Sequence, residues 1–436
     1  MSTVKKVIIV GGGFAGLSLI KQLVGQPNIQ VTLIDRRNYH LFQPLLYQVA
    51  MAGLNPSEIS VSFRALFSKY SNFEFLLSEV EDIDLAAKKI KCDDRWLGFD
   101  YLAIACGSKH FYFGHDDWEP IAPGLKSIEQ ATEIRRRVLL AFEFAEKEAD
   151  PIKRARLLTF VVIGGGPTGV ELAGAIAEMC QKTIYNQYKH ADLKKARVVL
   201  VEAAGSILQA FPPELSAKAQ KDLEDLGVEV RLNQSANDLS TQGLLVGTEF
   251  LPAQTIIWAA GVKPSQLSEK IPYPKTRDGR IIVNQDLSIP DHSNVFILGD
   301  QAAFSQNPDT YLPTLAPVAI QEGRFVGNLI KNELKGKPRP AFRYFDKGIM
   351  ATIGLSKAVV SSGPFKISGK LAWLAWVFVH ILYLVRFRNK FLILIQWAWS
   401  YCKFGKTAPL IVHKTWRFYD GTKIPIRNEA ENPPIS

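Results

Sequence analysis

Apolar residues along this chain fall into short β-branched runs set between longer stretches of helical spacing, and two of these runs stand in the same setting. Residues 7–10 and 160–163 each lead into a glycine cluster and then into an Ala/Leu/Ile-rich stretch with apolar positions three and four apart. Each copy reads as strand, glycine turn, helix. The first cluster is Gly11-Gly12-Gly13-Phe14-Ala15-Gly16, the second Gly164-Gly165-Gly166-Pro167-Thr168-Gly169, which continues into Val170-Glu171. Further buried strands are predicted at 31–34, 100–105, 197–201, 255–258 and 295–298, and a helix rich in Arg, Glu and Ala at 128–148. The strand at 197–201 comes late after its glycine turn, which predicts a helix running on through 185–190. Strands alternating with helices predict an α/β fold with parallel sheets.

The glycine spacing gives these turns a chemistry. In such a unit the first glycine permits the tight turn, the second lets the backbone approach a pyrophosphate, and the third lets helix and strand pack closely; the helix N-terminus faces the anion. One such turn is weak evidence, whereas two, each opening a βα unit, predict a protein that holds two dinucleotides at once. Asp35 closes the 31–34 strand, 22 residues beyond Gly13, where a carboxylate can accept hydrogen bonds from an adenosine ribose. Glu202 closes the 197–201 strand, 33 residues beyond Gly169, and is followed by Ala203 and Ala204. An acid with no base beside it repels a 2′-phosphate and so favours NADH over NADPH. Both acids also have a plain reading as solvated strand-end carboxylates. Glu171, in the first turn of the second helix, is likewise open between a functional carboxylate and an acid favoured there by the helix dipole at about 0.3–1 kcal/mol.

Other segments sharpen the organisation. Residues 38–50 fit neither helical nor strand periodicity, and read either as a loop packed on a flat ligand or as core. Ala259-Ala260-Gly261 would let a ring or a backbone come close after the 255–258 strand. Gly299-Asp300 ends a strand that follows the whole second unit, so the first domain is expected to be split, with the second inserted in it. The boundaries expected are 1–150 with 280–340 for the first domain, 151–279 for the second, and 341–436 for a C-terminal region.

Charge changes the picture only at that end. The chain of 436 residues carries a net charge of +10, and residues 347–419 hold eleven Lys or Arg and no Asp or Glu. This stretch is also the most apolar and Trp-rich, with five of the eight tryptophans at 373, 376, 397, 399 and 416. An anionic lipid surface therefore suits it better than nucleic acid. Its apolar runs, 371–385 and 391–402, are each shorter than the roughly 20 residues that span a bilayer, and Arg386-Phe387-Arg388-Asn389-Lys390 separates them. Two helices lying in the membrane interface are expected, with a buried hairpin or dimer interface as the alternative. His380 reads as a packed or interfacial histidine, and Lys366 and Lys370 as solvated or lipid-facing. Cys92, Cys106, Cys180 and Cys402 are scattered, show no metal-ligand spacing and read as structural, so no metal site is expected. The N-terminal apolar run is accounted for by the first strand and helix, not by a signal peptide.

Together, GGGFAG with Asp35, the 38–50 segment, GGGPTGVE, Trp258-Ala259-Ala260-Gly261-Val262, Gly299-Asp300, Leu315-Ala316-Pro317-Val318-Ala319-Ile320-Gln321 and the aromatic C-terminus resemble the bacterial type II NADH:quinone oxidoreductases, which are two-dinucleotide flavoproteins. The resemblance spans nearly the whole chain. It implies two Rossmann-like domains, the second inserted in the first, plus a C-terminal membrane-associating amphipathic helical region. It also implies FAD on the first turn, NADH on the second, and reduction of a membrane quinone without proton pumping. For FAD it implies contacts from Gly11, Gly12, Gly13, Phe14, Ala15, Gly16, Asp35, Arg36, Gln43, Pro44, Val80, Gly107, Asp300 and Ala316. For NADH it implies Gly164, Gly166, Pro167, Thr168, Gly169, Glu202 and Gly261. Glu171 is placed near the meeting point of nicotinamide and flavin and Gln321 on the quinone side, both as catalytic residues. Many members carry glutamine where Pro317 stands, which separates this chain's quinone side from theirs. A homodimer on the cytoplasmic face of the bacterial plasma membrane completes the expectation. Residues 38–60 lack the cysteine pair of disulfide reductases. A related reductase with another acceptor, or a membrane-attached NADH-sensing flavoprotein, are the alternative functions.

Overall fold

A computed structural model describes residues 4–308, 310–385, 390–391, 393–395, 397 and 410–411. Strand Lys5–Val10 lies inside a six-stranded sheet ordered Ser288–Ile289, His292–Ile297, Tyr101–Ile104, Lys5–Val10, Ile29–Asp35, Phe73–Leu77. All neighbours are parallel except the outermost pair. Alternate residues of Lys5–Val10 feed different cores. Val7 and Ile9 pack with the helices Phe14–Leu23 and Ala316–Glu333, while Ile8 and Val10 pack on the opposite face with Ile34, Leu102 and Ile104. Both faces are covered, which is why the strand is a continuous β-branched run instead of an alternating one.

The second sheet is built from Val228–Arg231, Arg197–Val201, Thr159–Ile163 and Thr255–Trp258, all parallel. Phe160 and Val162 face the main core, whereas Val161 and Ile163 face a small antiparallel sheet of Ala236–Ser240, Gly243–Val246 and Glu249–Pro252. Helix Ile128–Lys147, capped by Ser127, stacks Phe142 edge-on to Phe160 at 5.4 Å. It therefore shares its core with the second sheet, although a boundary at 150 assigns it to the first domain.

One expectation fails outright. The helix opened by the second glycine turn is Pro167–Glu178, with a wider turn at Met179–Thr183, and it does not continue through 185–190. Two side-chain captures account for the exit. Gln181 donates to the Leu226 carbonyl at 2.7 Å, and the Glu146 carboxylate accepts the backbone N–H groups of Lys189, His190 and Ala191. The late arrival of Arg197–Val201 is thus filled by loop. Of the two readings of 38–50, core describes its apolar side chains: Phe42, Leu45, Leu46, Tyr47 and Val49 are buried, and the segment forms a strand at Tyr39–Leu41, a 3-10 turn at Gln43–Leu45 and a helix at Leu46–Ala50.

At the C-terminal side three antiparallel strands, Ile349–Ile353, Lys357–Ser362 and Phe365–Ser368, pack on helix Pro167–Glu178. Lys357 reaches the fully buried Asp222 at 2.7 Å, and the Leu355 N–H donates to buried Glu178 at 2.5 Å. Helix Gly369–Tyr383 follows. No helix among the described residues is long and apolar enough to cross a membrane. Residues 386–389, Trp399, Cys402 and Trp416 lie outside the described residues. Cys92, Cys106 and Cys180 are free thiols, and no metal-holding cluster occurs among the described residues.

Candidate functional site

The two glycine turns are built alike. Gly11 and Gly164 have φ of +99° and +109°, the left-handed region that favours glycine. A Cβ at Gly11 would strike the Ala105 carbonyl, and one at Gly164 would lie 2.7 Å from Ala259 and Ala260 backbone atoms. A Cβ at Gly16 would run into the carbonyl oxygen of Gly11, and one at Gly169 into that of Gly164. The helices Phe14–Leu23 and Pro167–Glu178 start at Gly13 and Gly166 with no side chain capping them. Their first N–H groups therefore face outward, the arrangement that receives phosphate.

The strand-end acids complete the parallel. Gly12 N–H donates to Asp35 Oδ2 at 2.7 Å and Arg37 N–H to its other oxygen at 2.8 Å. Gly165 N–H donates to Glu202 Oε2 at 2.5 Å and Ala204 N–H to Oε1 at 2.8 Å. Burial raises the Asp35 pKa, against the two backbone hydrogen bonds that lower it. Arg36 is exposed beside it. Phe14 and Ala15 open the first helix, with Ala15 buried, and Thr168 and Pro167 open the second.

Around the first turn the remaining predicted residues gather from distant segments. Gly299, at φ +68°, precedes Asp300, whose Oδ2 accepts the Ser108 hydroxyl at 2.5 Å. Lys126 donates to the same hydroxyl at 2.8 Å and stands 4.0 Å from Asp300; burial lowers its pKa, with Asp300 opposing. The Gly299 N–H donates to Glu322, whose burial pushes its pKa up to about 8. Gln301, fully buried, accepts from the Cys106 N–H at 2.7 Å and donates to Ser268 at 2.7 Å, tying the segment after strand Tyr101–Ile104 to the one beyond the second sheet. Gly107 turns at φ +67° beside them, and Val80 is buried with Val10 and Ile34 at the sheet's end. Gln43 is exposed and reaches the Lys126 carbonyl at 3.5 Å; Pro44 follows it in the 3-10 turn, and Ala316 is the first residue of an uncapped helix.

The two residues expected to be catalytic stand differently. Glu171 lies on helix Pro167–Glu178, and loss of solvent around its carboxyl pushes its pKa up to about 8, opposed by the Thr352 N–H at 3.5 Å. The Thr352 hydroxyl in turn meets the Tyr47 hydroxyl at 3.2 Å, so three separate segments converge beside this carboxyl. Gln321 has both ends of its amide engaged by the Phe345 backbone, at 2.9 Å and 3.0 Å. It fixes the 345 region, a contact that sequence spacing does not reveal. Lys366 pairs with Glu214 at 2.5 Å, and Lys370 is exposed. His380 stacks on Trp376 at 4.0 Å and bonds its carbonyl at 2.8 Å; burial lowers its pKa to about 4.

A cavity of about 770 Å³ opens on the second turn. Its floor is residues 163–167, one side is Glu202 with Ala203 and residues 234–237, and the other is residues 258–261. Leu208, whose N–H donates to the Gly165 carbonyl at 2.8 Å, leads the segment 208–211 that closes the near end. An aromatic wall of Phe113, His115 and Trp118 completes it, His115 lying flat on Trp118 at 4.1 Å. Sequence reasoning missed this wall, because nothing local in 111–118 shows that it faces the second glycine turn.

Residues 5–323 match the family described as pyridine nucleotide-disulphide oxidoreductase. The chain is 41% identical over 411 residues to the type II NADH:quinone oxidoreductase Ndh of Mycobacterium tuberculosis, covering 90% of this chain and 87% of that protein. It is 32% identical over 376 residues to the type II NADH:quinone oxidoreductase of Staphylococcus haemolyticus, covering 84% and 92%. Among solved structures, NDH2 of Plasmodium falciparum in complex with NADH superposes with a TM-score of 0.84 at 21% identity, over 91% of this chain and 98% of that one; this likeness speaks for the fold. The fold and its paired turns define a pyridine nucleotide-disulphide oxidoreductase. Within that class, the chain belongs to the type II NADH:quinone oxidoreductase family.

Proposed function

We propose that this protein oxidises NADH and reduces a membrane quinone through bound FAD, without pumping protons. The observation that carries the reading is the duplicated turn: two uncapped helix N-termini, each with an acid bonded to its second glycine. The first turn fits FAD, since a Cβ at Gly11 or Gly16 would collide with backbone and Asp35 is held where an adenosine ribose would lie. Bound FAD supplies the two-electron chemistry between NADH and quinone. On this reading Gly11, Gly12, Gly13, Phe14, Ala15 and Gly16 seat its pyrophosphate, and Asp300, braced by Ser108 and Lys126, holds its ribityl or phosphate portion. Arg36, Gln43, Pro44, Val80, Gly107 and Ala316 line the same site. Gly164, Gly166, Pro167, Thr168 and Gly169 seat NADH, Glu202 selects it over NADPH, and Gly261 lets it approach.

On this reading Glu171 stands near the meeting point of nicotinamide and flavin; with a pKa of about 8 it carries its proton at neutral pH. Gln321 acts on the quinone side by fixing Phe345, which is exposed. The domains proposed are 1–150 with 280–340, 151–279, and 341–436. The last would rest on anionic lipid at the cytoplasmic face of a bacterial membrane and support a homodimer. Leu371, Leu374, Phe378 and Leu382 form one exposed apolar stripe of helix Gly369–Tyr383 and point to that docking.

The test is direct. Purified protein should show flavin absorbance, NADH should bleach it, and a soluble quinone should restore it with rapid turnover; absence of flavin or of bleaching overturns the reading. Removing residues after 364 should release the protein from vesicles containing anionic lipid. Persistent co-flotation of the truncated chain would refute the docking.

A further inference from the structure

The cavity on the second turn is bordered by one residue that carries two features a folded chain usually avoids. Phe113 is 60% exposed, and its backbone sits at φ +54°, a region that bulky L residues rarely adopt. Gly114 beside it is at φ +98°. Neither feature is left to chance by the surroundings. The strand Ser108–His110 pairs antiparallel with Val262–Pro264, which fixes the point where 111–114 leaves the sheet. Trp258 donates its indole N–H to the Phe111 carbonyl at 3.2 Å, and the Phe113 ring leans on Phe111 at 4.7 Å. Gly261 is what lets the ring come in: a Cβ there would lie 2.9 Å from two of the ring carbons, and Gly261 itself is at φ +71°.

The sheet order says which half of a dinucleotide meets this ring. Glu202 ends the strand on one side of Thr159–Ile163, and residues 259–261 follow the strand on its other side. With the adenosine ribose on Glu202 and the pyrophosphate on the glycine turn between them, the second nucleoside lies toward 259–261. That is the side on which Phe113 presents its ring.

We propose that Phe113 is a specificity and positioning residue for NADH, an aromatic clamp that covers the nicotinamide riboside while Glu202 and the turn hold the adenosine diphosphate half. The proposal rests on the assignment of NADH to this cavity. Strain and exposure are retained at Phe113 because a planar ring stacks there when the substrate binds. Gly261 serves the clamp by leaving space for it.

The test compares ligands with and without nicotinamide. Trp118 and Trp258 line the cavity, so their fluorescence reads binding of NAD⁺ and of ADP-ribose to the FAD-loaded full chain. In Phe113→Gly, which removes the ring and relieves the positive φ, the Kd for NAD⁺ and the KM for NADH should rise about tenfold. The Kd for ADP-ribose and the KM for quinone should stay within twofold. Phe113→Tyr, which keeps a ring, should restore NAD⁺ affinity. Equal weakening of NAD⁺ and ADP-ribose would make Phe113 a structural residue and overturn the clamp, as would a change below twofold for both or a Tyr variant as weak as Gly. If the unaltered protein quenches with neither ligand, the NADH assignment itself falls and the clamp with it.

Discussion

The two glycine turns share their backbone yet sit among different side chains. A Cβ on Gly12 would enter the ring of fully buried Phe63, and His40, also buried, bonds the Gly12 carbonyl at 2.9 Å. The helix behind this turn is pinned by Ala316–Glu333, where Gly323 packs against the Ala15 carbonyl and Gly327 against Gln22. The second turn borders a cavity of about 770 Å³, and a Cβ on Gly165, the counterpart of Gly12, would lie 2.9 Å from the Glu202 and Ile207 side chains. The same motif thus stands among different side chains. Phe63 and His40 crowd the second glycine of the first turn, whereas Glu202 and Ile207 crowd that of the second, beside the cavity. The difference lies in Phe63, His40 and residues 316–333, not in the glycines.

Breaking the third glycine of each turn should expose that difference most strongly. Gly16→Ala is expected to yield protein without flavin absorbance, whereas Gly169→Ala should retain flavin but raise the KM for NADH on the order of a hundredfold, in keeping with overpacking costs of ~1–3 kcal/mol. Next come the acids. Glu202→Ala should lower the preference for NADH over NADPH by about tenfold or more, the scale of a lost charge-assisted hydrogen bond, with flavin content unchanged; Asp35→Ala should lower flavin content and leave that preference alone. Measuring both quantities in both variants tests the pairing of acid with nucleotide.

A third comparison uses pH. Glu171 and Glu322 both have folded pKa values pushed up to about 8 by burial, from an ordinary 4.5. The folded state therefore binds these protons more tightly, and stability falls as pH rises from about 4.5 to 8. Either Gln variant should flatten part of that fall in thermal melts. Only Glu171→Gln should also remove an apparent pKa near 8 from the rate of flavin bleaching by NADH; an unchanged profile would leave Glu171 as a helix-start acid. The smallest effect is expected at the surface: Lys366→Ala breaks an exposed pair with Glu214 and should leave NADH oxidation within twofold.

Much of this was legible in the chain because it is local. Strand, glycine turn and helix are neighbours in sequence, and each acid ends the next parallel strand, so spacing alone finds Gly11 to Asp35 and Gly164 to Glu202. The helix after Gly169 was misjudged because its end is set by contacts of Glu146 and Gln181 with other segments, which no periodicity records. Gln321 shows the same limit: its place in the Ala316–Glu333 helix is readable, but its double hydrogen bond to Phe345 is not.

By itself, then, the sequence determined that two strand, glycine-turn, helix units exist, which acid ends the next strand of each, and that a basic, Trp-rich end follows, since these depend on residue type and short spacing. Only the tertiary structure decided that the second turn borders a cavity of about 770 Å³. It also decided that Ser108, Lys126 and Glu322 brace the Gly299–Asp300 turn, that Thr352 and Tyr47 stand beside Glu171, and that Phe113 borders the second cavity. Those outcomes depend on where segments tens to hundreds of residues apart come to rest, and burial, not residue identity, sets the proton affinity of the carboxyls there.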